Sequence, residues 1–101
     1  DGELDFNQPA AFLARMVRAY SPWPGTYQFF DGKRIKIYQA HVEKSEGVAP
    51  GERTVVDDQP AWGTISNLLV LDEVQLAGKS RLSGRDFLLG AKNWINEKEH
   101  D

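Results

Sequence analysis

The sequence predicts a small, mainly β domain with one helix at each end and a sheet bent toward a barrel. Three observations carry this expectation. An Asp31-Gly32 pair sits between two apolar runs, the strongest short-range hairpin signal. The strand that follows changes polar phase near Ile37 and Tyr38, which requires a bulge or sharp bend of the kind found in small barrels. Apolar residues at helical spacing near the N-terminus and a capping-box pattern near the C-terminus mark the two helices. At 101 residues there is room for one domain, 1–101, with an ordered core expected over about 4–94.

The first helix is expected over about 8–20. Asn7 can cap it, and Pro9 is tolerated in a first turn because its missing N–H would be unpaired there. Phe12, Leu13, Met16, Val17 and Tyr20 recur at helical spacing as one apolar face, with Arg15 and Arg18 off it. Arg18 is assigned a structural role, pairing with a carboxylate or carbonyl beside the packed face. The helix must end before Pro22, since proline disfavours helical geometry in the residue before it. Ser21-Pro22-Trp23-Pro24-Gly25 then forms a stiff corner. Two prolines fix φ on either side of Trp23, and Gly25 permits the turn. Trp23 is expected to anchor the core or the corner, the alternative being an exposed platform for stacking bases.

Strands are expected over 27–30 and 34–43, with Gly32 in the turn between them. In the second, Ile35 and Ile37 alternate with Arg34 and Lys36. From Tyr38 the phase inverts, so that Tyr38, Ala40 and Val42 are apolar and Gln39, His41 and Glu43 polar. A loop over 45–51 ends at the Pro50-Gly51 breaker. Residues 53–57 form a candidate strand, which Asp58-Gln59-Pro60 is expected to break before another starts over 62–65. The most apolar strand, 68–76, is expected at the centre of the barrel, and Ala77-Gly78-Lys79 turns the chain after it. Ser83 caps a short helix over about 84–90, with Asp86 three residues on and Gly90 as its stop. The polar remainder to Asp101 is expected to fray.

The formal charge is -3, from 15 acids and 12 bases, which at face value argues against a nucleic-acid partner. Its distribution alters that inference. Asp1, Glu3, Asp5, Glu97, Glu99 and Asp101 lie at the two ends, with Lys98 the one base among them. The body, 7–94, holds nine acids and eleven bases and carries +2. Its bases cluster at Lys33-Arg34-Lys36 and at Lys79, Arg81 and Arg85. No apolar run is long enough to span a membrane, and no basic-then-apolar start suggests a secretory signal. The absence of cysteine excludes disulfides, thiolate zinc sites and thiol nucleophiles and fits a cytoplasmic setting.

The residues that carry chemistry are few. His41 lies on a strand and His100 in the tail, neither at metal-ligand spacing with carboxylates. The adjacent acids Asp57-Asp58 and Asp72-Glu73 would point to opposite faces of a strand, so neither makes an acid–base dyad. Ser83 has no base nearby in sequence and is better placed as a cap than as a nucleophile. No catalytic residue and no metal site are expected.

Several stretches, in order, resemble one family. Leu4-Asp5-Phe6-Asn7-Gln8-Pro9-Ala10, Val17-Arg18-Ala19, Pro22-Trp23-Pro24-Gly25 and the hairpin 31–40 are similar to the start of the C-terminal domain of methionyl-tRNA formyltransferases. Ala49-Pro50-Gly51, then Gln75-Leu76-Ala77-Gly78-Lys79, then 83–90 continue the likeness, which covers about 4–90. The resemblance implies an open β-barrel of oligonucleotide-binding-fold-like, Greek-key type. It also implies an absent N-terminal, Rossmann-like catalytic domain that uses formyl-tetrahydrofolate as co-substrate, so this chain inherits no catalytic residue and no cofactor. It implies weak, salt-dependent contact with the tRNA backbone through Lys33, Arg34, Lys36, Lys79 and Arg81, with Arg85 a lesser candidate. Such sequence-blind affinity is what a few bases opposite phosphates supply. The alternative is a non-catalytic structural domain of a sugar-nucleotide or other formyltransferase with no nucleic-acid role.

Overall fold

The computed structural model describes residues 2–95. The elements run α1 (Ala10–Tyr20), β1 (Thr26–Phe30), β2 (Lys33–Glu43), β3 (Arg53–Val56), β4 (Gln59–Gly63), β5 (Leu68–Leu76), β6 (Arg81–Ser83) and α2 (Gly84–Gly90). All six strands join one antiparallel sheet of order β1-β2-β5-β4-β3, with β6 pairing the far half of β5. The most apolar strand, expected at the centre of a barrel, is instead central to this sheet: β5 meets β2 along its length, β4 through Leu68, Leu69 and Val70, and β6 through Glu73, Val74 and Gln75. The expectation of a mainly β domain with two flanking helices holds. The sheet is not closed into a barrel.

Local chemistry explains most of these elements. Asp31 and Gly32 both adopt positive φ, as a two-residue hairpin turn requires, and fix the register Phe30 to Lys33. The phase inversion of β2 is a bulge. Pairing slips between Ile37 and Gln39, and again between Gln39 and Ala40 where β5 holds the extra residue Asp72. The two slips compensate, so Ile35, Ile37, Leu71 and Val74 all reach the same core. Ser83 caps α2, its Oγ accepting from the Asp86 backbone N–H at 3.0 Å.

The main core lies between α1, α2 and one sheet face, where Leu4, Leu13, Val17, Ile35, Ile37, Trp62, Leu69, Leu71 and Trp94 are fully or almost fully buried. A smaller cluster of Ala61, Leu68 and Val70, joined by Val48 and Val56, packs on the other phase of β4 and β5. Both outer strands of the sheet are covered. Leu4 N–H donates to the Tyr27 carbonyl and Tyr27 N–H to the Gly2 carbonyl along β1. Trp94 lies against Phe30, Trp62 and Phe87 and donates its indole N–H to the Thr54 carbonyl of β3 at 2.8 Å.

The structure corrects several expectations. The α1 N-cap is Pro9 and makes no side-chain cap; the Ala10 N–H donates instead to the Ser66 carbonyl, while Asp5 Oδ1 accepts from the Asn7 N–H. The buried face of α1 is Ala10, Leu13, Ala14 and Val17, and Phe12 is 44% exposed. Gln59 and Pro60 do not break the sheet. Asp57 and Asp58 form the turn, both with positive φ, and Pro60 lies in β4 opposite Val55, before pairing with β5 begins at Ala61. Residues beyond Gly63 form a loop rather than a strand, with Ile65 60% exposed. Gly90 ends α2 as its last residue, and Ala91 is the C-cap. The stretch after it contains the buried Trp94, so it is not a frayed polar tail as far as Ile95. His100 and the remaining acidic end lie outside the described residues.

Candidate nucleic-acid interface

Alternation along β1 and β2 determines what the sheet shows on the face away from α1. Ile35 and Ile37 point into the core, so Arg34 and Lys36 between them point outward. Their partners across the hairpin are Phe29 and Tyr27. On the next strand Lys36 pairs with Gln75, which in turn pairs with Arg81 on β6. One face therefore carries Tyr27, Phe29, Arg34, Lys36, Gln75 and Arg81, and the β2 bulge adds Tyr38.

These groups organise one another. The Arg34 guanidinium stacks 3.9 Å above the Tyr27 ring centroid and lies 5.9 Å from that of Phe29. The Arg81 guanidinium stacks 3.8 Å above Tyr38, with the Lys36 ammonium 5.8 Å from the same ring. Tyr38 donates its hydroxyl to Gln75 Oε1 at 2.9 Å, and the Gln75 amide donates to the Lys79 carbonyl. Stacking on an aromatic face holds a guanidinium flat while leaving its N–H edges free for an anion. Among the described residues no carboxylate pairs with Arg34 or Lys36. Arg81 differs, since Nε lies 2.8 Å from Glu73 Oε2 and Nη2 also donates to that carboxylate.

Of the five bases expected to meet tRNA, the structure gathers Arg34, Lys36 and Arg81 on this face. Lys33 is exposed at the hairpin end, on the opposite phase, paired with Phe30. Lys79 borders the cavity formed by Phe30, Leu76, Leu82 and Phe87. The Ala77 N–H donates to the Arg34 carbonyl, which brings the turn of Lys79 to the edge of the same face. Arg85 lies apart, donating to the Asp57 carbonyl. The sequence singled out the bases but missed Tyr27, Phe29, Tyr38 and Gln75; the two-residue alternation of β1 opposite β2 was the available signal.

The residues expected to be structural divide. Gly32 adopts φ 77° in its turn, Gly25 φ 89° before β1, and Ser83 caps α2. Arg18 is exposed, and among the described residues its guanidinium has no carboxylate or carbonyl partner, so helix-end exposure replaces the expected pairing. Trp23 stays on the corner but is 82% exposed, so the corner is closed without it: the Gly25 N–H donates to the Tyr20 carbonyl at 2.8 Å and the Ser21 N–H to that of Val17.

A second polar group was not visible in the sequence. His41 Nδ1 lies 2.8 Å from Asp72 Oδ2, its Nε2 3.4 Å from Glu43 Oε2, and Gln59 donates to Asp72 Oδ1 at 2.7 Å. The hydrogen bond to Asp72 raises the His41 pKa above the usual value of 6.5; burial opposes it and Glu43 adds to it. Asp72 and its neighbour Glu73 thus serve different partners, His41 and Arg81, and form no dyad. Among the described residues His41 has no nucleophile as a hydrogen-bond partner, and no group of three or more acids, cysteines and histidines could hold a metal ion. No described helix is long and apolar enough to cross a membrane.

The family model for the formyl transferase C-terminal domain matches residues 1–92. The methionyl-tRNA formyltransferase of Geobacter metallireducens is 37% identical over 92 residues, covering 91% of this chain and 30% of that protein. The methionyl-tRNA formyltransferase of Roseiflexus sp. is 40% identical over 94 residues, covering 91% and 29%. The chain therefore spans about 30% of the length of the curated relatives it matches. Among solved structures, a variant of HypX from Aquifex aeolicus superposes with a TM-score of 0.71 at 20% identity, over 95% of this chain and 18% of that one. HypX in complex with tetrahydrofolic acid gives 0.70 at 21% identity, over 90% and 17%. At such identity the likeness is one of fold.

Proposed function

The chain belongs to the formyl transferase C-terminal domain family, and from that premise we propose that it is the tRNA-holding domain of a methionyl-tRNA formyltransferase. In this role it grips the tRNA backbone without reading sequence and orients the aminoacyl end toward a catalytic domain elsewhere in the same protein. Formyl-tetrahydrofolate is the co-substrate of that catalytic domain, the setting is the cytoplasm, and the reaction serves translation initiation. The names of the relatives support the parent enzyme. The observation that carries the tRNA role is the outward face on which Arg34 and Lys36 stand among Tyr27, Phe29 and Tyr38 with no carboxylate partner among the described residues. Phosphates suit the bases, and exposed nucleotides suit the aromatic rings between them.

The test is tRNA binding as a function of salt. Affinity is expected to fall linearly on a log–log plot, and the double variant Arg34→Glu/Lys36→Glu to flatten the slope by about two, one for each phosphate left without its cation. In the parent enzyme the same change raises the KM for tRNA and spares kcat. Unchanged kinetics in the double variant, with the fold intact by circular dichroism, would instead assign the chain a purely structural place in a formyltransferase with another substrate.

A further inference from the structure

We propose that Trp23 is a stacking platform for an unpaired base, so that the basic face takes single-stranded rather than fully paired nucleic acid at its α1 end. The proposal rests on reading that face as a nucleic-acid interface and names the feature recognised there.

Two structural facts carry it. Trp23 is 82% exposed, whereas Trp62 and Trp94 are 2% and 1% exposed. An indole so exposed stabilises nothing in the fold, and large aromatics are ordinarily placed to bury area. Its position is the second fact. The corner ends at Gly25, where a Cβ would stand 3.5 Å from Lys36 Cε, so the corner abuts the basic face at Lys36. The next residue but one, Tyr27, pairs with Lys36 and lies under Arg34.

The occupant follows from these neighbours. A bare indole on the corner that abuts Lys36, next to a face whose Arg34 and Lys36 have no carboxylate partner among the described residues, complements a polyanion with exposed π-faces, which is an unstacked nucleotide; in a paired stem the bases are stacked inside and out of reach. The backbone that carries the platform is also preorganised. Pro22 and Pro24 fix φ on either side of Trp23, and backbone hydrogen bonds to Val17 and Tyr20 close the corner, so little backbone freedom is lost on stacking.

The chain carries its own reporter. Only one of its three tryptophans is exposed, so quenching of intrinsic fluorescence by a base reads Trp23. The probes are an oligouridylate of about ten nucleotides, within the span a small domain covers, and a fully paired RNA duplex of equal length. Binding is followed in parallel by fluorescence anisotropy of the labelled RNA. The oligouridylate is expected to quench the emission and the duplex to leave it unchanged. Trp23→Ala is expected to weaken single-strand binding roughly tenfold with the salt slope unaltered, and Trp23→Phe to retain most of the affinity. Oligouridylate binding without quenching, or equal affinity of Trp23→Ala, overturns the proposal while leaving the basic face as an interface. Such a result would give the indole to a protein partner. Loss of all binding at low salt overturns both readings together.

Discussion

Gly84 shows how closely a single residue can be specified by its surroundings. A Cβ at this position would overlap the Leu71 carbonyl oxygen and stand 3.1 Å from Pro60 Cδ, so the first turn of α2 lies directly on β5. Backbone on a central strand cannot yield as a flexible side chain would. Gly84→Ala is therefore expected to destabilise the fold by about 3 kcal/mol or more, through overpacking, as read by urea unfolding. Gly90→Ala, which meets no atom within 4 Å, is its control and should be nearly neutral. His41 makes a second case at this scale. The groups that face it are Asp72 from β5 and Glu43 from its own strand, with Gln59 of β4 holding Asp72 in place. Because its pKa is raised in the folded chain, its ion pairs stabilise fully below pH 6.5 and weaken as the pH rises through the higher folded value. The stability gap between the native chain and His41→Gln is expected to shrink from pH 6 to pH 9. Its size should stay within about 1 kcal/mol, since the ring is half exposed and water screens the pair. A gap independent of pH would show that the ring matters by packing alone.

At the level of the element, what the sequence made legible was what local chemistry alone decides. The Asp31-Gly32 turn, the bulge after Ile37 and the Ser83 cap were each anticipated because a backbone conformation or an orphan N–H demanded those residue types. On α1, Leu13 and Val17 are buried and Met16 packs against the core as their spacing predicts, whereas Phe12 is exposed, and hydrophobicity alone, which ranks it above alanine, misplaces it. The small residues Ala10 and Ala14 fill the buried face instead. Pro60 was misjudged because a proline excludes itself only where both sides of a strand are paired, and β4 has no β5 neighbour at that point. The three-residue strand β6 carries no periodic signal of its own and exists because β5 extends past β4. At the candidate site the bases were legible, but the rings between them depended on a register that only the folded sheet reveals. Trp94 is the element-scale case with the largest expected effect. It joins β1, β3, β4 and α2 through Phe30, Thr54, Trp62 and Phe87, although it follows the last residue matched by the family model. Trp94→Ala is expected to cost about 3–5 kcal/mol in chemical denaturation, and Trp94→Phe less, the remaining cost reflecting the Thr54 carbonyl left without its donor.

For the whole molecule, the question is whether net charge or its arrangement governs a polyanion partner. The chain is acidic at -3, yet six of its fifteen acids lie at the two ends and leave a body of +2. At about 0.15 M salt, charges separated by more than roughly 8 Å scarcely act on one another. A phosphate resting on Arg34 and Lys36 therefore responds to those two cations and hardly at all to the chain's total. Two single reversals separate the alternatives. Arg34→Glu and Arg85→Glu each take the formal charge from -3 to -5. Arg34 stacks on Tyr27 in the outward face, whereas Arg85 lies on α2 and donates to the Asp57 carbonyl away from it. If arrangement governs, Arg34→Glu lowers tRNA affinity and reduces the log–log salt slope by about one, while Arg85→Glu leaves both within error. Equal losses in the two variants would mean that overall charge sets the interaction and that the face is no site. Arg81→Glu should fall between them, because Glu73 already occupies the guanidinium edge of Arg81 and the reversal would remove a cation that is half spent within the chain. That graded order, Arg34 before Arg81 before Arg85, follows from the carboxylates and carbonyls each one meets in the fold, and titrations at three salt concentrations suffice to establish or refute it.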